Sequence, residues 1–124
     1  MKNNKTVIYV VDDEPAICRL IRIALEDTDY EIKEAHSGTD FLEKLKDGPL
    51  PQLALLDVMM PKMNGYDVCK FIKSDNTLNS IKIILFSALS ESDMKIKAED
   101  AGADAYFSKN MELEELREEI IKQL

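Results

Sequence analysis

The chain has 124 residues, of which 45% are hydrophobic and 32% are charged, and this is enough to bury one compact core without disulfides. Its 16 basic and 24 acidic residues give a formal net charge of −8, which argues against direct binding to nucleic acid or to anionic membranes. No apolar stretch approaches the roughly 20 residues of a membrane span, and the N-terminus lacks a signal-peptide pattern. We therefore expect a cytoplasmic protein with one domain over residues 1–124.

Short apolar runs alternate with amphipathic segments along the whole chain. The apolar and β-branched runs predict strands at 6–11, 30–35, 52–57, 81–86 and 104–107. Between and after them, apolar residues recur at helical spacing and predict helices at 16–25, 38–46, 65–73, 91–101 and 112–124. This alternation predicts an α/β fold in which a parallel five-stranded sheet carries helices on both faces.

Turn residues mark several of these boundaries. Gly102 occupies the position of a helix C-cap, and Asn64 and Asn110 precede predicted helices as candidate N-caps. The two cysteines, Cys18 and Cys69, are far apart in the chain and match neither a metal-ligand nor a redox spacing. We expect both to be reduced thiols.

Polar side chains follow the predicted strands at the edge where a parallel sheet binds ligands. They are Asp12, Asp13 and Glu14 after the first strand, Asp57 after the third, Ser87 after the fourth, and Lys109 after the fifth. Neighbouring carboxylates repel one another unless a cation lies among them, and hard oxygen ligands suit Mg²⁺. The cluster therefore predicts a magnesium site, with Mn²⁺ as an acceptable substitute.

Asp57 ends a strand that is apolar over residues 53–56, so its carboxylate would be held rigidly at that edge. A carboxylate placed beside a metal can act as a nucleophile towards phosphorus and form an acyl phosphate. Lys109 would offset the charge of the incoming group, and Ser87 could donate a hydrogen bond to it. A structural alternative is that Asp12 and Asp13 cap the first helix, which a proline close behind them would suit.

Four segments, "VVDDEPAI", "LLDVMMPKMNG", "ILFSA" and "AGADAYFSK", resemble the successive signature blocks of the bacterial response-regulator receiver domain. The resemblance spans nearly the whole chain in the right order. It implies the flavodoxin-like strand order 2-1-3-4-5. It also implies a phosphorylation-activated switch of a two-component system, of the chemotaxis type or another single-domain kind, rather than a turnover enzyme.

The resemblance assigns roles to individual residues. Asp57 would accept the phosphoryl group from a sensor histidine kinase or a histidine phosphotransfer protein. Asp13, Asp57 and the backbone carbonyl of Met59 would bind Mg²⁺, with Asp12 acting through a metal-bound water. The remaining positions are Ser87 as hydroxyl switch residue, Lys109 as phosphate-pairing cation, Ala88 beside them as a phosphate-binding residue, and Tyr106 as the aromatic that follows Ser87.

One position departs from the family pattern, because Asn110 follows Lys109 where the family has proline after a cis peptide bond. The bond before Asn110 is therefore either a strained cis bond or a trans bond that aims Lys109 differently.

Two other functions remain as alternatives. A degenerate receiver would bind partners without being phosphorylated. A magnesium-dependent aspartyl-phosphate phosphatase usually carries a second aspartate two residues after the nucleophile, where this chain has Met59. A nucleotide-binding protein is disfavoured, because carboxylates stand where a glycine-rich phosphate loop would follow the first strand.

A partner surface is predicted on the helix at 91–101. Helical spacing places Met94, Ala98 and Ala101 on one face and leaves Ile96 on the opposite, solvent-facing side. We expect Ile96, Tyr106 and the adjoining face of the last helix to contact another copy or a downstream protein. With no sequence after Leu124, the chain is expected to be either a complete single-domain regulator or a piece of a longer protein.

Overall fold

The computed structural model describes residues 5–60 and 63–124. Strands and helices alternate in the order β1 (Val7–Val11), α1 (Pro15–Ala24), β2 (Glu31–Ala35), α2 (Gly38–Leu45), β3 (Leu53–Asp57), α3 (Gly65–Ser74), β4 (Lys82–Ser87), α4 (Glu91–Ala101), β5 (Ala105–Ser108) and α5 (Leu113–Gln123). The strands form one parallel sheet in the order β2-β1-β3-β4-β5. The predicted flavodoxin-like α/β fold is confirmed.

Most predicted boundaries lie within one or two residues of the observed ones. The shift that matters for function is at β4, which was expected to end before Ser87 and instead includes it. Ser87 pairs with Ser108 at the end of β5, so strand pairing continues to the edge of the sheet. The hydroxyl of Ser87 is therefore positioned by a strand and not by a loop.

Each face of the sheet carries its own hydrophobic core. One core contains Cys69 of α3 and the buried side chains of α4, while the other contains Cys18 of α1 and the buried side chains of α5. Every residue of β1 and β3 is buried, which explains why these strands read as continuous apolar runs. Both cysteines are free, as predicted, and they lie on opposite faces of the sheet.

The helix caps confirm two predictions and contradict a third. Asn64 caps α3 by accepting a hydrogen bond from the Asp67 N–H at 2.9 Å, and Gly102 ends α4 in the left-handed conformation with φ 83°. Asn110 is not an N-cap, because α5 begins later and its N-cap residue is Glu112. The backbone N–H of Asn110 instead donates to Ser108 Oγ at 3.2 Å.

The helices within residues 5–60 and 63–124 include none that is long and apolar enough to cross a membrane.

Candidate functional site

Three aspartates meet at the carboxyl edge of the sheet. Asp12 and Asp13 follow β1 and Asp57 ends β3, and one carboxylate oxygen from each lies within 4.8 Å of the other two. β1 and β3 are neighbouring strands, so their ends meet side by side. Asp12 is fully buried and Asp57 is 3% exposed, whereas Asp13 is exposed. The predicted cluster therefore forms, with one of its three carboxylates open to solvent.

Backbone N–H groups hold two of these carboxylates in place. Asp12 Oδ1 accepts a hydrogen bond from Glu14 N–H at 2.9 Å, and Asp57 Oδ1 accepts one from Met59 N–H at 3.1 Å. The alternative in which Asp12 and Asp13 cap α1 is wrong, because the N-cap residue is Glu14, followed by a proline at the helix start. Both aspartates therefore lie outside the helix.

Lys109 follows β5 and reaches into the carboxylate cluster. Its Nζ lies 3.1 Å from Asp12 Oδ2, 3.3 Å from Asp57 Oδ2 and 3.3 Å from Glu14 Oε1. The same ammonium is 5.2 Å from the centre of the Phe86 ring. No cis peptide bond occurs in the described ranges, which include the bond after Lys109. A trans bond at this position thus lets Lys109 reach the aspartates.

The site perturbs the pKa values of its own groups. Burial, with the nearby charge of Asp57, raises the pKa of Asp12 to about 6, against the opposing effects of the Glu14 N–H and Lys109. Burial also raises the pKa of Asp57. For Lys109, burial acts to lower the pKa, but hydrogen bonds and charges from Asp12 and Asp57 outweigh it, and the net direction is upward. Burial is thus the main cause of the two carboxyl shifts, and the neighbouring carboxylates account for the upward direction at Lys109.

The donor set fits a divalent cation. Asp12 Oδ2 is buried, and the Lys109 ammonium at 3.1 Å is its close polar neighbour within the described part of the chain. Buried carboxylate oxygens are normally fully partnered. An oxygen-only cluster with one solvent-exposed member is the kind of site that Mg²⁺ prefers.

The predicted switch and phosphate-binding residues lie on, or directly after, the next two strands of the sheet, β4 and β5. The Ser87 side chain is fully buried, and its Oγ accepts a hydrogen bond from Leu89 N–H at 3.2 Å. Ala88 is exposed next to it, which leaves this position open to a ligand at the edge of the sheet. Tyr106 is half-buried on β5 and packs against the core that contains α4.

Gly65 lets α3 start close to the end of β3. Its N–H donates to Val58 O at 3.0 Å, and a Cβ at this position would lie 2.5 Å from the backbone oxygen of Asp57. A side chain here would therefore displace the backbone that carries Asp57. This close approach explains why the last residue of the "LLDVMMPKMNG" segment is a glycine.

Two residues were not given a role from the sequence. Glu14 was noted beside the aspartates, but its contact with Lys109 joins residues 95 positions apart and depends on the fold. Tyr66 carries a buried hydroxyl without a partner among the described residues, and no motif in the sequence indicates this.

Comparisons with known proteins agree with the geometry. A family model described as the response regulator receiver domain matches residues 8–121. The chain is 35% identical over 109 residues to the DNA-binding dual master transcriptional regulator RpaA of Synechocystis sp., which covers 88% of this chain and 45% of that protein. The chain spans about half the length of the curated relatives that it matches.

Solved structures share the fold. The signal receiver domain of a signal transduction histidine kinase from Syntrophus aciditrophicus matches with a TM-score of 0.87 and 28% identity, over 96% of this chain and 89% of that one. The phosphorylated cyanobacterial phytochrome response regulator RcpA matches with a TM-score of 0.83 and 28% identity, over 94% and 89% of the two chains. The chain therefore belongs to the response regulator receiver domain family of two-component signal transduction.

Proposed function

We propose that Asp57 accepts a phosphoryl group from the phosphohistidine of a sensor histidine kinase or a histidine phosphotransfer protein. The observation that carries this proposal is the contact of one buried carboxylate, Asp57, with one ammonium, Lys109, at 3.3 Å beside two further aspartates. The phosphorylated regulator RcpA is a relative with the same fold.

The chemistry is an exchange of one bond for another at phosphorus. A carboxylate oxygen of Asp57 attacks the phosphorus, the bond from phosphorus to the histidine nitrogen breaks, and the imidazole leaves with the electron pair. Lys109 offsets the negative charge of the transferred group. The hydroxyl of Ser87 and the backbone N–H of Ala88 would donate hydrogen bonds to its oxygens.

The acidic cluster would hold Mg²⁺, or Mn²⁺ in its place. Asp13, Asp57 and the backbone carbonyl of Met59 would be direct ligands, and Asp12 would act through a bound water. A divalent cation supplies charge neutralisation at the phosphoryl oxygens. The convergence of one oxygen each from Asp12, Asp13 and Asp57 within 4.8 Å and the exposure of Asp13 support this assignment.

Phosphorylation would change the surface that the domain presents to its partners. Ser87 would move towards the phosphoryl oxygens and Tyr106 would fill the space it leaves, which biases a surface with two states. Ile96 is 73% exposed on α4, as the helical spacing predicts, and Met94, Ala98 and Ala101 are buried on the opposite side. We expect Ile96, Tyr106 and the adjoining face of α5 to contact another copy or a downstream protein.

The domain would act in the cytoplasm as one receiver unit over residues 1–124, phosphorylating and dephosphorylating itself rather than turning over an external substrate. Met59 in place of a second aspartate disfavours the phosphatase alternative. The assembled Asp12, Asp13, Asp57 and Lys109 disfavour a degenerate receiver, since a domain that bound partners without phosphorylation would not need them.

Labelling by acetyl phosphate tests the proposal. Intact-mass spectrometry of the wild-type chain should show the gain of one phosphoryl group with Mg²⁺ or Mn²⁺ and none with a chelator. Asp57→Asn should abolish the gain, while Asp29→Asn, at an exposed aspartate far from the site, should leave it unchanged. Stoichiometric labelling that survives Asp57→Asn or the chelator contradicts the proposal. A wild-type chain that is never labelled favours the degenerate receiver.

A further inference from the structure

Glu14 is the exposed member of the group of carboxylates around Lys109. Its Oε1 accepts a hydrogen bond from Lys109 Nζ at 3.3 Å, and its side chain is 64% exposed, whereas that of Lys109 is 18% exposed. Glu14 is also the N-cap residue of α1, but among the described residues its side chain forms no capping hydrogen bond. Glutamate is not one of the residues preferred at an N-cap. The side chain of Glu14 therefore serves the contact with Lys109 and not the start of the helix.

The two other carboxylates beside this lysine are buried and held by the backbone. Asp12 Oδ1 accepts a hydrogen bond from the Glu14 N–H at 2.9 Å. Asp57 Oδ1 accepts one from the Met59 N–H at 3.1 Å. Moving either aspartate would break such a bond inside the protein, which is costly. Of the three carboxylates, that of Glu14 is therefore the one that moves away at the lowest cost.

The ammonium of Lys109 is already surrounded by acceptors. It has three N–H donors, and three carboxylate oxygens lie within 3.3 Å of its Nζ, one each from Asp12, Glu14 and Asp57. The Phe86 ring, centred 5.2 Å from the same Nζ, is a further close neighbour. A phosphoryl oxygen can pair with this ammonium only if one of the three carboxylates gives up its place.

We propose that Glu14 competes with the phosphoryl group for the ammonium of Lys109, and that its contact slows phosphorylation of Asp57. In the unphosphorylated chain the Glu14 carboxylate occupies the place that a phosphoryl oxygen takes during transfer. Its negative charge on the exposed side of the site also disfavours the approach of an anionic donor. This inference rests on the proposed function, because it concerns the regulation of the same site.

Binding of beryllofluoride, an analogue of the phosphoryl group, tests the competition. Calorimetry at saturating Mg²⁺ keeps a change in metal affinity from contributing. Glu14→Gln keeps the length of the side chain and the backbone N–H that holds Asp12, and it removes the charge. This variant should bind beryllofluoride about two- to fivefold more tightly than wild type, the effect of losing an exposed ion pair. Acetyl phosphate should label it faster by a similar factor, and Glu14→Ala should gain at least as much.

Glu91→Gln is the matched control. Glu91 is an exposed glutamate that begins α4 after β4, at the same edge of the sheet, and the carboxylates that pair with Lys109 within the described ranges do not include it. The variant removes the same charge without the contact, so both the affinity and the labelling rate should change by less than about 1.5-fold. Equal gains in Glu14→Gln and Glu91→Gln would show a general effect of charge and would contradict the competition.

The remaining outcomes separate this inference from the proposed function. If Glu14→Gln binds beryllofluoride more weakly than wild type, Glu14 supports the lysine and the inference is overturned. If the wild-type chain is labelled at Asp57 but Glu14→Gln is neither labelled faster nor binds more tightly, the inference fails alone. If the wild-type chain is not labelled and binds no beryllofluoride, the proposed function fails and the inference fails with it.

Discussion

The ammonium of Lys109, just after β5, lies 3.3 Å from Oδ2 of Asp57 at the end of β3. The two residues come from strands that are not neighbours, because β4 separates them in the sheet. The same ammonium contacts Asp12 after β1 at 3.1 Å. One lysine thus links the ends of three strands. Replacing it removes both of these ion pairs at once.

We expect Lys109→Ala to lower the rate of phosphorylation by acetyl phosphate by about 10²-fold, or to abolish its conformational consequence, because a preorganised cation is lost. Binding of Mg²⁺, measured by isothermal titration calorimetry, should be retained, since the lysine is not a metal ligand. A loss of Mg²⁺ affinity in this variant would contradict the assignment of Lys109 as the cation that pairs with the phosphoryl group.

The aspartate cluster predicts a specific metal-binding defect. Asp13→Asn should weaken Mg²⁺ binding by at least about tenfold in calorimetry, because one of three convergent carboxylates loses its charge. Asp29→Asn also removes one exposed negative charge and should bind Mg²⁺ as the wild type does. Equal affinities in the two variants would show that Asp13 is not a ligand.

Gly65→Ala should destabilise the fold by about 1–3 kcal/mol, measured by urea denaturation, because its Cβ would overlap the backbone oxygen of Asp57. The variant should also be labelled more slowly, since Asp57 is displaced. Gly48→Ala is the control, because a Cβ at position 48 meets no atom within 4 Å. If both variants unfold at the same urea concentration as wild type, the close approach at Gly65 has been misassigned.

Both thiols should resist alkylation in the native chain. Burial raises the pKa of Cys18 to about 11 and the pKa of Cys69 to about 12, so at pH 8 little reactive thiolate is present. Iodoacetamide should modify both cysteines only after denaturation, and non-reduced mass spectrometry should show no intramolecular disulfide. A crosslink between them would contradict the placement of the two thiols on opposite faces of the sheet.

The partner surface is tested by amide chemical shifts with and without beryllofluoride, a phosphoryl mimic, at Asp57. We expect changes that extend from the site to residues 95–97 and to Tyr106, because Ser87 connects the site to α4 and β5. Changes confined to the surroundings of Asp57 would show that this face is not the output surface.

The sequence by itself determined the elements and most of the site. Apolar runs such as 53–56 and helical spacing on α4 depend on which residues avoid water, and this property can be read locally. Parallel topology then brings the strand ends to one edge, so the meeting of Asp12, Asp13 and Asp57 was predictable before any coordinates.

Only the tertiary structure decided which side chains at that edge are buried and which contact one another. The contact of Glu14 with Lys109, the full burial of Asp12 beside the exposed Asp13, and the unpartnered hydroxyl of Tyr66 depend on packing between distant elements. The prediction of a helix N-cap at Asn110 was wrong for the same reason. Local sequence allowed a helix from residue 112, but α5 begins at Leu113, and Glu112 became its cap. Residue type and spacing determine which groups come near one another, whereas burial and hydrogen bonding are set when the whole chain packs.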